Sequence, residues 1–566
     1  MQVCREWLSV CAREHAACKV PTTPFIPTRL IDVGDALSPD PPRLISTHQK
    51  PWATAHCTGS EFRGQPLRDP VTQYLAYSYC WGSLETPVTH FRTTKENVHQ
   101  RRCGISLDAL PQSFRDLSTA ARELGLRFVW IDSLCIVQDD PEDLAREIGK
   151  MGEVYGQAYL TLAWASGASP CDSLLMRNRY QPIFKVPFAT SMGRSVTGSY
   201  SLLSALPELG GDFATDVQRS KYNQRGWTFQ ERFLSRRVLY FCNTMLRYEC
   251  QELECSEEFV ATDKKSWGAR WCPIQDLQSS GSKSVYATWY TLIFAYSQRH
   301  FTYKSDKLPA IAGLAATMWD ALQKCGIQDI YLAGLWKRDL IKGLLWARWP
   351  SCDLWRTSDD RAPSWCWSAV DGVIEYPQAL VQRRMESRCC IIDATVQSKD
   401  KHPFGCVTGG HLRVTGRLEH IDSVRLGKVE ISSVIWDSDA HHQFLKGDRV
   451  VASGRLDCPG RCNCLDCGQR RMSGEYHGPQ EEHDVWLLLL ANAHLEEEAT
   501  DEEEADEEEA ADAEEAADAE EAISDRSLDS WFVGLVLTPT KSLKAEAEYR
   551  RIGMFCIQGL YGTPIL

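Results

Sequence analysis

Hydrophobic positions along this chain of 566 residues change their spacing from segment to segment. Near the start, Cys4, Cys11, His15 and Cys18 fall at i, i+7, i+11 and i+14, which predicts a short helix over residues 1–20 with these four on one face. Residues 21–70 carry many prolines and glycines and read as an irregular lead-in. The clearest alternation lies between 71 and 165. QYLAYSYC (73–80) reads as a buried strand stopped by Trp81 and Gly82. LPQSFRDLSTAARELGL (110–126) places Phe114, Leu117, Ala121 and Leu124 at helical spacing, with Gly125 as the stop. RFVWIDSLCIV (127–137) is a continuous apolar run, as expected of a strand covered on both faces. PEDLAREIGKMGEVYGQA (141–158) predicts a helix with Pro141 at its start, acids in its first turn, and Leu144, Ile148, Met151, Val154 and Tyr155 on one side. AYLTLAWA (158–165) closes the series as another strand. Strand, helix, strand, helix, strand predicts an α/β fold with a parallel sheet and right-handed crossovers.

Beyond this block, SKYNQRGWTFQERFLSRRVLYF (220–241) reads as a helix leading to a strand, and residues 285–345 look mainly helical. After about residue 385, short strands alternate with glycine and proline turns. The expected organisation is a lead-in (1–70), an α/β domain (71–240), a mainly helical extension (241–384) and a β-rich C-terminal region (385–566).

Composition adds limits. Hydrophobic residues make up 43% and charged residues 24%, so most of the chain folds around a core. The formal charge is -14, and much of it comes from Glu496–Ala522, which contains only Glu, Asp, Ala and Thr. That run interrupts VWLLLLAN (485–492) and SWFVGLVLTP (530–539), and reads as a disordered acidic loop inserted between paired strands. No broad basic surface is suggested, which argues against a nucleic-acid partner. No segment has the form of a secretion signal or the length of a membrane span, so a cytoplasmic protein with no membrane partner is expected. The 23 cysteines then read mostly as reduced, buried thiols.

Two cysteine clusters have ligand chemistry. CPGRCNCLDC brings Cys458, Cys462, Cys464 and Cys467 within ten residues, and four thiolates could hold Zn²⁺; the spacing is not that of a usual finger, and a Cys-rich loop is the other reading. On a continuous N-terminal helix, Cys4 and Cys18 would lie about 21 Å apart, so one ion could not reach both, whereas His15 with Cys11 and Cys18 could share one. The sequence has no P-loop, G-x-G-x-x-G, H-E-x-x-H or G-x-S-x-G in a fitting context, which sets aside kinases, classical dehydrogenases, zinc proteases and α/β hydrolases.

Three blocks in order, YLAYSYCWG (74–82), LPQSFRDLSTAARELGLRFVWIDSLCIVQDD (110–140) with MGEVYGQAYLTLA (151–163), and RGWTFQERFLS (225–235), resemble the hallmarks of the fungal heterokaryon-incompatibility (HET) family. Trp7, Cys11, His15 and Cys18 followed by PTRLIDVG (27–34) resemble the family's lead-in, and Leu144 departs from it, standing where relatives often carry Trp. The resemblance implies a TIR/flavodoxin-like parallel sheet flanked by helices. It also implies a role in non-self recognition, with self-association on activation and an unidentified protein partner.

TIR-like domains often cleave NAD⁺ at the nicotinamide–ribose bond, so NAD is the substrate the resemblance implies, with no cofactor required. A carboxylate can stabilise the oxocarbenium-like ribose that forms. By the resemblance, that carboxylate sits on the helix after the third strand, which selects Glu147; Glu231, in the third block, is the second candidate. Around the carboxyl ends of the strands, Trp81 could stack on a ring, Gly82 could let backbone approach, and Asp132 could meet the ribose. Arg225 and Trp227 could close over the ligand. Each has a structural alternative: Glu147 as a solvated acid paired with Lys150, Asp132 as a turn cap, Trp81 as core, and the third block as a lock between segments. A non-catalytic module acting by homotypic assembly is the competing function.

Overall fold

The alternation read between 71 and 165 forms the middle of a nine-stranded mixed sheet. The computed structural model describes residues 1–19, 25–35, 41–48, 73–82, 91–177, 184–190, 196–202, 213–243, 245–257, 262–263, 282–349, 354–356, 361–399, 402–427, 441–447, 449–456, 485–494, 531–539 and 549–558. The strands are β1 (Arg29–Asp32), β2 (Arg43–Ser46), β3 (Leu75–Ser78), β4 (Phe128–Trp130) and β5 (Leu160–Ala163). A separate hairpin, β6 (Phe184–Thr190) and β7 (Val196–Leu202), follows. The sheet then continues with β8 (Arg237–Phe241), β9 (Leu246–Cys250), β10 (Leu253–Ser256) and β11 (Thr262–Asp263). Its order is β11-β10-β9-β8-β5-β3-β4-β1-β2. The pairs β3–β4, β3–β5 and β5–β8 are parallel, and the remaining pairs are antiparallel. Every residue of β3, β4 and β5 is buried, as parallel strands covered on both faces require.

The helices of this part are α1 (Gln2–Glu14), α2 (Val98–Cys103), α3 (Gln112–Glu123), α4 (Asp132–Cys135), α5 (Pro141–Gly149), α6 (Met151–Gln157) and α7 (Trp227–Leu234). The face of α3 that carries Phe114, Leu117 and Ala121 is buried, and Phe114 packs edge-on against Tyr77 and Tyr79. The start of α5 is fixed by Asp140, whose carboxylate accepts the Glu142 N–H, and by Pro141 in the first turn. Arg29 of β1 pairs with buried Asp143 of α5.

Three expected elements are broken where a residue offers the backbone another partner or direction. The apolar run 127–137 is not one strand. It leaves the sheet after Trp130, because the Asp132 carboxylate accepts the Ser133 N–H at 2.7 Å and starts the short α4. The helix expected over 141–158 is two, α5 and α6, meeting at Lys150. The helix expected over 1–20 ends at Glu14: His15 is extended (φ −90°, ψ 107°), and Ala16–Cys18 form one 3₁₀ turn.

Contacts divide the chain into two units: Met1–Asp276 with Arg299–Thr302 and Pro309–Ala316, and Leu277–Gln298 with Tyr303–Leu308 and Thr317–Leu566. The second contains the helix Ser282–Ser297 and an eight-stranded antiparallel sheet of C-terminal strands. There Val485–His494 pairs with Trp531–Pro539, so the two apolar segments flanking the acidic run are neighbours, as expected. The acidic run itself lies outside the described residues. Arg551 stacks on the Trp346 ring at 3.4 Å and donates to the carbonyls of Leu344 and Trp346, tying this sheet to the segment before it. No helix among the described residues is long and apolar enough to cross a membrane.

Candidate functional site

The carboxyl ends of β3 and β4 deliver the first set of polar groups. Beyond Leu75–Ala76–Tyr77, which fill the core, Ser78 ends β3 and Tyr79, Cys80 and Trp81 follow it. Asp132 opens α4 two residues after β4. The Trp81 indole Nε1 donates to Asp132 Oδ2 at 2.7 Å, while Asp132 Oδ1 accepts the Ser133 N–H. Tyr79 donates to the Ser133 hydroxyl at 3.0 Å. Burial pushes the Asp132 carboxyl above its usual range, opposed by the Trp81 and Ser133 hydrogen bonds. Gly82, next in the chain, takes φ +86°, a conformation glycine adopts without a Cβ penalty.

The third block folds back onto these groups. Arg225 donates through Nη1 to the Tyr79 carbonyl, and its charge lies close to Cys80, Glu231 and Asp132. Glu231, on α7, is 5% exposed and accepts a hydrogen bond from Ser78 Oγ. Ser78 Oγ lies 2.8 Å from the Tyr222 hydroxyl, so with Ser78 donating to Glu231, Tyr222 donates to Ser78. Burial pushes the Glu231 carboxyl up to about 7, against the Ser78 hydrogen bond and the Arg225 charge that favour the anion. Two buried carboxylates of raised pKa and one guanidinium thus share one place, an arrangement suited to stabilising a cationic or polyhydroxylated ligand.

Of the residues singled out in the sequence, Trp81, Gly82, Asp132, Arg225 and Glu231 come together here. Trp227, at the start of α7, packs partly buried against the main core. Glu147 lies in another set. It is 3% exposed, accepts from Thr28 Oγ1 at 3.0 Å and from Arg146 Nε at 3.2 Å, and has Lys150 Nζ at 3.7 Å. Its neighbour Asp143 is held below its usual pKa by Arg29, the Val137 N–H and Arg146, which together outweigh burial. Ser78 and Tyr222 were not legible as site residues: Ser78 lies within the first hallmark block and Tyr222 in the polar stretch before the third, and only the fold brings them to Glu231.

The N-terminal cysteines form a separate cluster. The break at His15 folds Cys18 back toward Cys11, and Cys250 at the end of β9 completes a set whose sulfur and ring-nitrogen atoms all lie within 4.8 Å of one another. Cys4 is buried but outside it. Cys250 was missed because no sequence spacing links it to residues over 230 positions away. Most other described cysteines are free thiols, about half of them buried; Cys103 is disulfide-bonded. Cys458, Cys462, Cys464 and Cys467 lie outside the described residues.

Residues 74–231 match the family model described as heterokaryon incompatibility protein (HET). Over 175 residues the chain is 24% identical to a curated protein named heterokaryon incompatibility protein 6, OR allele, of Neurospora crassa. That match covers 30% of this chain and 21% of the relative, so the chain spans about a fifth of that protein's length. No solved structure matches.

Proposed function

We propose, on the premise that residues 74–231 are a HET domain, that the chain takes part in heterokaryon incompatibility and that its effector chemistry is cleavage of the nicotinamide–ribose bond of NAD⁺. The observation that carries this is the meeting of Glu231, Asp132 and Arg225 at the ends of parallel strands. Strand order supports a TIR/flavodoxin-like reading of this core. Numbered from β3, the parallel strands run 2-1-3-4, and the order reverses between β3 and β5. Doubly wound sheets bind ligands at that crevice, and Ser78 stands at it, its carbonyl accepting the Trp164 N–H that follows β5.

In this reading Glu231 acts as the anion that stabilises the oxocarbenium-like ribose; the C–N bond breaks, nicotinamide leaves as a neutral amide without an acid, and water adds to the ribose carbon, releasing a proton to solvent. Asp132 receives ribose hydroxyls, with Trp81 holding it in place. Arg225 faces the diphosphate. Self-association raises activity, and an unidentified protein partner triggers it. The test is nicotinamide release from NAD⁺ by the full chain at high concentration. Glu231→Gln is expected to lower the rate by about a hundredfold or more while the fold is retained. A well-folded, self-associated chain that releases no nicotinamide overturns the enzymatic reading.

The second reading is a non-catalytic module working by homotypic assembly. It is favoured by one feature: the carboxylate oxygens of Glu231 and Asp132 accept hydrogen bonds from Ser78, Trp81 and Ser133, so protein groups already satisfy them.

A further inference from the structure

We infer that Cys11, His15, Cys18 and Cys250 form a structural zinc site that fastens the N-terminal segment to strand β9. Four ligand atoms within 4.8 Å of one another are close to the edge lengths of a tetrahedral site. Zinc–sulfur bonds of about 2.3 Å and zinc–nitrogen bonds of about 2.0 Å give ligand separations of roughly 3.5–3.8 Å. Cys250 Sγ and His15 Nδ1 stand at 3.3 Å already. A contraction of about 1 Å at the widest edge completes the geometry, within what side-chain rotation supplies.

The chemistry of the set points the same way. Three thiolates and one imidazole are soft and borderline donors that select zinc over calcium or magnesium. Cys11, Cys18 and Cys250 are 0%, 0% and 4% exposed, and His15 is the half-exposed member. Three thiols gathered in a buried place with a ring nitrogen have little to gain from one another by packing alone. Charge is balanced as well. Zinc with three thiolates and a neutral imidazole carries one net negative charge. The Arg237 guanidinium is its counter-ion: Nε donates to Cys11 Sγ at 3.2 Å, and the other two nitrogens donate to the carbonyls of Cys18 and Tyr159. Among the described residues no carboxylate bonds this 2% exposed arginine. Four protein ligands leave no open position, so the ion is structural and does not activate water.

Local conformation prepares the site. A continuous helix would carry Cys18 two turns past Cys11. The extended His15 and the 3₁₀ turn Ala16–Cys18 reverse it, and Glu252, two residues beyond Cys250, accepts the Ala17 N–H at 2.8 Å. Met1–Cys18 is thereby attached to the sheet edge carrying β9 and β10.

Zinc content of the full chain, purified without chelator, tests the assignment. To keep the thiols of residues 458–467 from contributing, the same measurement uses a Cys462→Ser, Cys464→Ser chain. One zinc per chain is expected to remain in that control and to be lost in Cys250→Ser and Cys18→Ser. Cobalt loaded into the control chain should give the strong visible bands of tetrahedral cobalt and a thiolate charge-transfer band, and this readout needs no destabilised variant. Stripping the metal should lower the melting temperature of the control by at least roughly 10 °C. A metal-free control chain, a cobalt spectrum without tetrahedral thiolate bands, or a disulfide among Cys11, Cys18 and Cys250 found by mass spectrometry overturns the site.

Discussion

Glu231 is buried in a place where its charge is costly, and that cost is visible in how stability should depend on pH. Its carboxyl titrates near 4.5 when unfolded and at about 7 in the fold. Between those values the folded chain keeps a proton that the unfolded chain has lost. The folded state then binds more protons, and stability falls as pH rises from about 4.5 through 7. Burial raises it and the nearby Asp132 charge raises it further, while Ser78, Arg225 and Tyr155 pull it down without cancelling the shift. Glu231→Gln removes this slope. Denaturant melts of both proteins should show the variant gaining on the parent by roughly 2.5 kcal/mol between pH 5 and pH 8; equal slopes would mean Glu231 is ionised in the fold.

A contrasting residue is Arg232, next in the chain, whose guanidinium bonds Glu249 through two contacts of 3.2 Å, with Tyr240 donating to the same carboxylate at 2.7 Å. Arg232→Ala leaves the buried Glu249 carboxylate without its guanidinium counter-charge, and should cost about 3–5 kcal/mol in the same melts. Neither burial was legible from residue type. The sequence pattern placed Glu231 on a helix, and the depth at which that helix lies is a property of the sheet it folds onto.

At the scale of elements, apolar periodicity located the strands and helices well and their ends poorly. The face of α3 and the strands β3 and β5 were readable because each has one uninterrupted period. The run 127–137 was not, since a continuous apolar stretch looks alike as strand or buried helix, and the Asp132 carboxylate decides where one becomes the other. Likewise, Cys11, His15 and Cys18 looked like a helix stripe until His15 left the helix. The packing of α6 depends on a contact that no pattern announces: a Cβ on Gly152 would lie 2.7 Å from the Gly313 Cα. Gly152→Ala therefore has to separate two backbones, and should destabilise by about 1–3 kcal/mol despite alanine's better helix propensity. A neutral or raised melting temperature would show that the two backbones are not in contact.

For the whole molecule, the acidic run accounts for the charge. Seventeen of the 76 acidic residues fall between 496 and 522, more than the net excess of 14. The strands on either side hold their own register, Trp486 opposite Leu537 and Leu488 opposite Leu535. Replacing residues 496–522 by a short Gly/Ser linker alters only a loop-closure entropy of order 1 kcal/mol. Thermal melts should agree within about 4 °C, while the protein becomes markedly less acidic on ion exchange. A large loss of stability would give the run a structural role.

The strand-end carboxylate centre is tested most directly by the pH dependence of nicotinamide release from NAD⁺ by the full chain. With the ionised form of Glu231 as the stabilising anion, the rate should rise as pH passes through about 7. Glu147→Gln should keep that profile, and Glu231→Gln should lose both the rate and the inflection. A rate that is flat through this range, or one that survives in Glu231→Gln and disappears in Glu147→Gln, would contradict it.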